Sequence, residues 1–347
     1  MRMGLVLISI IVSLLVIEGA LRVAGSGADT TIFNNYRFDD VLGWDTKSSH
    51  SWASTQEPTP HTNYYNPDGL PTLKQEFDRS LGASTPTIAF VGDSFTEGYY
   101  LPYEETFTHL VGQRFPGKQV LNLGVASYAP DQYLLKARRH LPNYNLTAVI
   151  VMFFPGNDVA DVAKSLLGGY SKPYFEDSFD TPLNTPLTKR SSVAEGIPRK
   201  IHRHSALVQA ITPMLIKYVP WMVDFVAGSG VSASRYEEAG MRKALRLIQQ
   251  IEIEFPVDIF VTYYVPHLEE VQDQILFQDN IRLYESVCRE LEMRCLTLEL
   301  ALAQVPDLRD FFIERDGHFT RLGAESVANQ IYDDLVFANG AIGNNQP

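Results

Sequence analysis

Residues 88–98 read Ile88-Ala89-Phe90-Val91-Gly92-Asp93-Ser94-Phe95-Thr96-Glu97-Gly98, and the rest of the chain takes its meaning from them. An apolar, strand-like run empties into glycine, aspartate and serine, and a second glycine follows four residues after the serine. A strand that ends this way sets the Ser94 hydroxyl at the lip of a sheet. In open α/β sheets, ligands bind beyond the carboxyl ends of the strands. Alone, the segment has two readings. Asp and Ser both cap helices well, so Ser94 can simply open a helix. Alternatively it is a nucleophile, which needs a base within hydrogen-bond reach and donors aimed at the oxygen that becomes negative during acyl transfer.

Three further segments supply those partners in order. Gln119-Val120-Leu121-Asn122-Leu123-Gly124-Val125 reads as a second buried strand ending at Gly124. Residues 148–154 read as a third, followed by a loop of Pro155-Gly156-Asn157-Asp158. Near the C-terminus stands Arg315-Asp316-Gly317-His318-Phe319-Thr320. The set comprises a nucleophile, a backbone donor, a side-chain amide donor, and a base with an orienting acid. Asp93 and Asp158 read as organisers of their own turns. Asn157 has a plain alternative as a turn residue, and His318 as a loop residue before a helix at Leu322-Gly323.

Gly92-Asp93-Ser94 with Gly98, then Gly124, then Gly156-Asn157-Asp158, then Asp316-Gly317-His318 resembles the GDSL/SGNH hydrolase superfamily, block by block over residues 88–330. The resemblance implies an α/β protein with a three-layer, flavodoxin-like fold and a central parallel sheet. It implies Ser94 as nucleophile and His318 as general base. It also implies an oxyanion hole made by the Ser94 and Gly124 N–H groups and the Asn157 amide. One departure stands out: the family's Asp-x-x-His block would put an acid at 315, where this chain has Arg315. Asp316 is then the orienting acid, provided the loop turns, because in an extended segment residues two apart point to the same face but lie too far apart to cooperate easily.

The N-terminus sets an expected compartment. Met1-Arg2 is followed by an uncharged apolar run over residues 4–17, shorter than the ~20 residues of a spanning helix and of a length that suits a signal-peptide core. Residues 1–23 are expected to be an uncleaved signal anchor, with a cleaved signal peptide as the alternative. The bulk of the chain then lies outside the cytoplasm, periplasmic or extracellular. The chain has 347 residues and a net charge of −12, from 29 basic and 41 acidic residues, which disfavours nucleic acid as a partner. The two cysteines, Cys288 and Cys295, are too few for a metal site; they form either a disulfide or two buried thiols. No metal or organic cofactor is expected.

Residues 24–87 read as a loop-rich lead-in with the turn Asn66-Pro67-Asp68-Gly69, and residues 88–340 as the main domain with an insertion at 168–232. Within the insertion, the apolar stretch 205–226 is either a lid or a helix packed on the sheet. Elsewhere helices are expected at 105–115, 130–141, 235–254, 276–291 and 322–337, and strands at 257–264 and 295–299. That alternation implies a parallel sheet covered on both faces. The expected activity is cleavage of an ester on a small molecule, lipid or glycan through an acyl-enzyme. The alternatives are an O-acetyltransferase or deacetylase of cell-envelope polysaccharide, and a non-catalytic carbohydrate-binding envelope protein.

Overall fold

The computed structural model describes residues 13, 14, 16–20, 35–54, 60–167, 170–176, 178–188, 235–314 and 316–343. The chain divides into two units, one of residues 37–189 with 233–347 and one of residues 1–36 with 190–232. The second falls almost wholly outside the described residues, as do most of the apolar run 4–17 and all of 205–226. Among the described residues no helix is long and apolar enough to cross a membrane.

The larger unit begins with short strands. β1 (Tyr36–Asp39) pairs with β2 (Gly43–Thr46), and β3 (His50–Ser54), β4 (His61–Tyr65) and β5 (Pro71–Thr72) form an antiparallel sheet. The described part of the lead-in carries five short strands joined by turns. The core follows: β6 (Pro86–Gly92), α1 (Ser94–Glu97), α2 (Phe107–Gln113), β7 (Gln119–Asn122), α3 (Pro130–His140), β8 (Asn145–Phe153) and α4 (Pro155–Asp161). After the short strands β9 (Leu166–Leu167) and β10 (Tyr170–Ser171) come α5 (Glu238–Glu254), β11 (Phe260–Tyr264), α6 (Leu268–Gln272) and α7 (Gln274–Glu290). The chain continues through β12 (Cys295–Thr297), α8 (Glu299–Ala303), α9 (Leu308–Phe311) and α10 (Arg321–Gly343).

Five strands form one sheet in the order β12-β11-β8-β6-β7, and every pair is parallel. Strands buried on both faces read as unbroken apolar runs, and β6 and β8 are buried from Thr87 and Ala148 to their ends. Helices α2, α8, α9 and α10 pack as one group; α3, α4, α5 and α7 pack as another. These are the two outer layers of an α/β/α sandwich. The chain leaves β6 toward β7 on one side and returns to β8 on the other, so the β6/β8 boundary is where the strand order reverses. Ligands bind at such a crevice.

Several boundaries differ from the sequence expectation. β7 ends at Asn122, two residues before Gly124, although the Leu123 and Val125 N–H groups still donate to the Phe90 and Gly92 carbonyls of β6. Asn157 lies in the first turn of α4 rather than in a loop, with Pro155 opening the helix, a position that tolerates the missing N–H. Cys288 and Cys295 are joined in a disulfide that ties the end of α7 to the start of β12.

Two buried ion pairs lock the lead-in and the 170–172 segment to the core. Lys136 on α3 meets Asp45 on β2 at 2.5 Å, with side chains 1 % and 5 % exposed. Lys172 meets Asp131, and its ammonium also donates to the carbonyls of Asp161, Lys164 and Pro173. Removing one partner of a buried pair leaves the other charge without compensation. Asp45→Ala should therefore cost about 3 kcal/mol or more, read as a lowered urea midpoint at pH 7. An unchanged midpoint would show that Lys136 finds another acceptor.

Candidate active site

Ser94 opens α1 directly after β6. Its helix is capped by Asp93, whose Oδ1 accepts the Phe95 N–H at 3.0 Å. Both sequence readings of this segment hold together: the aspartate caps, and the serine side chain is left free of that duty. The turn is tight because residue 92 has no side chain; a Cβ there would stand 2.0 Å from Thr96 Oγ1. Ser94 is half-exposed.

The Ser94 Oγ lies 2.7 Å from Nε2 of His318, and Nδ1 of His318 lies 2.5 Å from Oδ1 of Asp316. A carboxylate only accepts, so Nδ1 carries the proton and the Nε2 lone pair faces the serine. Two residues of spacing suffice because the loop turns. The N–H groups of Asp316 and Gly317 both donate to the Ile313 carbonyl, Ile313 N–H donates to the His318 carbonyl, and Gly317 has φ +88°. The left-handed glycine folds Asp316 back under the imidazole. Arg315 lies outside the described residues. The His318 and Asp316 side chains remain 20 % and 31 % exposed, open to a ligand.

Two aromatic rings pack against the imidazole. Phe95 stacks on it with centroids 4.4 Å apart, and Tyr100 lies 4.6 Å away. Burial pushes the Asp316 carboxyl up, but hydrogen bonds from His318 and Tyr100 and the charge of His318 bring it below its ordinary value. Burial, followed by the Asp316 charge, drives the Tyr100 phenol upward, so it stays a donor.

Of the three expected oxyanion donors, Ser94 and Asn157 stand just beyond the ends of β6 and β8. Ser94 N–H sits in the first turn of a helix, where backbone donors lack intrahelical partners. The Asn157 amide donates to the Tyr128 carbonyl at 3.2 Å and also interacts with the Asp93 carboxyl. Gly124 is a correction: its N–H donates to Asn122 Oδ1 at 2.9 Å and is spent inside the fold. The glycine serves close packing instead, since a Cβ there would meet Glu97 N at 2.2 Å. Ser127 is a residue the sequence reading missed. It occupies the left-handed region at φ +62° in the turn closed by Tyr128 N–H to Val125 O, beside the carbonyl that holds Asn157. Nothing in a serine announces that conformation.

That turn is clamped from the lead-in. Trp44 Nε1 donates to the Ala126 carbonyl at 3.0 Å, and the Tyr128 hydroxyl donates to the Trp44 carbonyl. Glu97, 3 % exposed, accepts from Ala126 N–H at 2.7 Å and from the Tyr65 hydroxyl at 2.6 Å. Beneath the crevice, Asp158 accepts from the Tyr133 hydroxyl and from Phe154 N–H, fixing the start of α4. Burial, then the nearby Asp93 charge, raises its carboxyl well above the ordinary range. Among the described residues, no group of three or more His, Cys, Asp or Glu side chains is placed to hold a metal ion.

No protein-family model and no curated protein matches the chain. Among solved structures, it is similar to the lipase/acylhydrolase from Enterococcus faecalis at 12% identity and TM-score 0.42, over 72% of this chain and 95% of that one. It is similar to a member of the lipolytic protein G-D-S-L family from Veillonella parvula at 10% identity and TM-score 0.38, over 72% and 97%. The psychrotrophic esterase EstA from Pseudoalteromonas sp. aligns at 13% identity and TM-score 0.38, over 75% and 99%. At such values the likeness carries no functional argument, and the chemistry rests on the residues themselves.

Asp93 offers a test of how this site is built. Burial raises its carboxyl from 3.8 to about 6, against the lowering effects of the His318 charge, the Phe95 N–H and the Asn157 side chain. Between about pH 4 and pH 6 the folded chain keeps a proton that the unfolded chain has released. The group's contribution to stability therefore falls as pH rises through that window. Asp93→Asn keeps the acceptor for Phe95 and never ionises. Its stability relative to the native chain should grow from pH 4 to pH 7 by an amount on the order of 2–3 kcal/mol, measured by urea unfolding. A difference that stays constant with pH would show that Asp93 ionises normally.

Proposed function

We propose that this chain is a serine esterase of SGNH type that cleaves short-chain esters through an acyl-enzyme on Ser94. The observation that carries the reading is the unbroken relay from Ser94 Oγ to His318 Nε2, and from His318 Nδ1 to Asp316. Ser94 attacks the ester carbonyl while Nε2 takes its proton. The resulting oxyanion is met by the Ser94 N–H, the Asn157 amide and the Ser127 N–H. His318 then protonates the departing alkoxide, and the acyl group stays on Oγ. Water repeats the sequence, giving up a proton to Nε2 and releasing the acid.

The acyl group is proposed to be small. Phe95, Tyr99, Tyr100, Leu101, Phe107 and Phe319 wall a narrow apolar crevice that also includes Ser94 and His318. A tight aromatic crevice suits an acetyl group and supports an acetyl esterase or deacetylase within the same mechanism. Transfer of the acetyl group to a sugar hydroxyl uses the same two steps with a different acceptor. The turn at Gly317, which brings Asp316 to His318 despite their short spacing, favours a catalytic reading over a non-catalytic carbohydrate-binding one.

Export is part of the proposal. The apolar run at 4–17 supports an N-terminal membrane tether or secretion signal, and the disulfide supports an oxidising compartment. The proposed location is periplasmic or extracellular.

Ser94→Ala should reduce turnover of p-nitrophenyl acetate by roughly 10⁴-fold or more and abolish labelling by a fluorophosphonate probe. A variant that kept native turnover would place the nucleophile elsewhere. In a p-nitrophenyl ester series, kcat/KM should fall at least roughly tenfold from acetate to octanoate, because each added methylene must enter a space already filled by rings. A flat or rising series would reject the short-chain assignment.

A further inference from the structure

The carboxyl ends of three adjacent strands meet at the site. β6 delivers Ser94 and β8 delivers Asn157. The third, β11, ends at Tyr264, opposite Phe153, and three residues later the chain reaches His267. Its ring stacks with Phe154 at 6.0 Å and 28°. Phe154 lies 4.8 Å from Phe95, and Phe95 stacks on His318. The two histidines thus stand at the ends of one row of rings. They also meet across Gly317: a Cβ built on that glycine would be 3.8 Å from His267 Nε2.

The His267 ring has a defined orientation. Nδ1 accepts the Glu269 N–H at 3.3 Å, so a neutral ring carries its proton on Nε2. The backbone is fixed as well, because His267 N–H donates to Glu270, whose carboxylate also accepts from Tyr264 and Asn280. Burial lowers the imidazole's pKa, Glu269 opposes this, His318 adds to it and Asp316 opposes it, with a net fall below the ordinary value. At neutral pH the group is an uncharged donor, half-buried and open to ligand.

We propose that His267 is a specificity-determining residue that donates an Nε2–H hydrogen bond to a hydroxyl or ring oxygen on the alcohol part of the ester, so that the favoured substrates are esters of sugars or polyols. The His267 ring lies against Gly317, next to the His318 that protonates the leaving alkoxide, which points to the alcohol side. Its position one residue away from the His318 loop suits a group that grips the leaving alcohol while His318 protonates it. The inference rests on the reading of Ser94 as the acyl-enzyme nucleophile.

The bland alternative is that His267 only caps α6. His267→Asn separates the two, since asparagine caps a helix at least as well but removes the Nε2 donor. The measurement is kcat and KM of the native chain and H267N on p-nitrophenyl acetate and on 6-O-acetylglucose. The nitrophenyl ester offers no hydroxyl, so its kcat/KM should stay within about twofold. On 6-O-acetylglucose, kcat/KM should fall about tenfold, mainly through KM, the loss of one neutral hydrogen bond to substrate. An equal fall on both esters, no fall on either, or a native chain that ignores 6-O-acetylglucose while cleaving the nitrophenyl ester would overturn the assignment. A native chain inactive on both esters and unlabelled by fluorophosphonate would overturn the acyl-enzyme reading, and this inference with it.

Discussion

The constraint on which the site depends is the register of the parallel sheet. Gly92 lies opposite Met152, and Phe153 opposite Tyr264. The ends of β6, β8 and β11 are therefore nearly level, and the residues just beyond them come out side by side. A shift of one residue in any ladder would turn each strand's side chains to the other face and move its terminal residue out of line. The apolar cores of these strands hold the register, because each side chain is close-packed against a helix layer on its own face and a slip would set it in a space shaped for its neighbour. Chemistry at the sheet edge is thus positioned by hydrophobic burial several residues away.

A second layer of support comes from the strands that precede the core. Buried polar groups must be paired, and the penalty for leaving one unpaired is larger than the gain from making a typical hydrogen bond. Glu97 sits at the back of the Ser94 helix with its carboxylate out of water. It accepts from Tyr65, which arrives from β4, and from Ala126 N–H in the turn after β7. Trp44 holds the same turn by donating to the Ala126 carbonyl and accepting from the Tyr128 hydroxyl. The lead-in is consequently a brace for the donor side of the site. The buried Asp45–Lys136 pair makes its position specific, since misplacing β2 would strand a charge.

The acids around Ser94 show how environment divides one residue type into different roles. Asp316 has a histidine and a tyrosine as donors and sits below the ordinary carboxylate range. It stays ionised and accepts a hydrogen bond from His318 Nδ1. Asp93 and Asp158 lie deeper, close to each other, and burial pushes both upward. They act on backbone, one capping α1 and the other fixing the entry to α4. Their chemistry is structural, and it holds the serine and the asparagine at the two sides of the crevice.

Much of this was legible in the chain itself. The apolar runs over 88–92, 148–153 and 260–264 announced buried strands, their alternation with helical segments announced a parallel sheet, and the residues at their ends named Ser94 and Asn157. His318 and Asp316 were legible as a pair, though not the turn that makes their short spacing work. Other features could not be read locally. Gly124 looked like a donor at a strand end, but Asn122 two residues earlier captures its N–H. Ser127 adopts a left-handed turn that serine seldom takes, and His267 becomes part of the site only because β11 pairs with β8. The reason is physical. Burial patterns and turn residues act over a few neighbours and are written in order along the chain, whereas hydrogen-bond capture, backbone sign and the meeting of Glu97, Tyr65 and Trp44 depend on groups tens of residues apart. Sequence determined which residues stand at the ends of buried strands; only the packed sheet decided which of their donors remain free to meet a ligand.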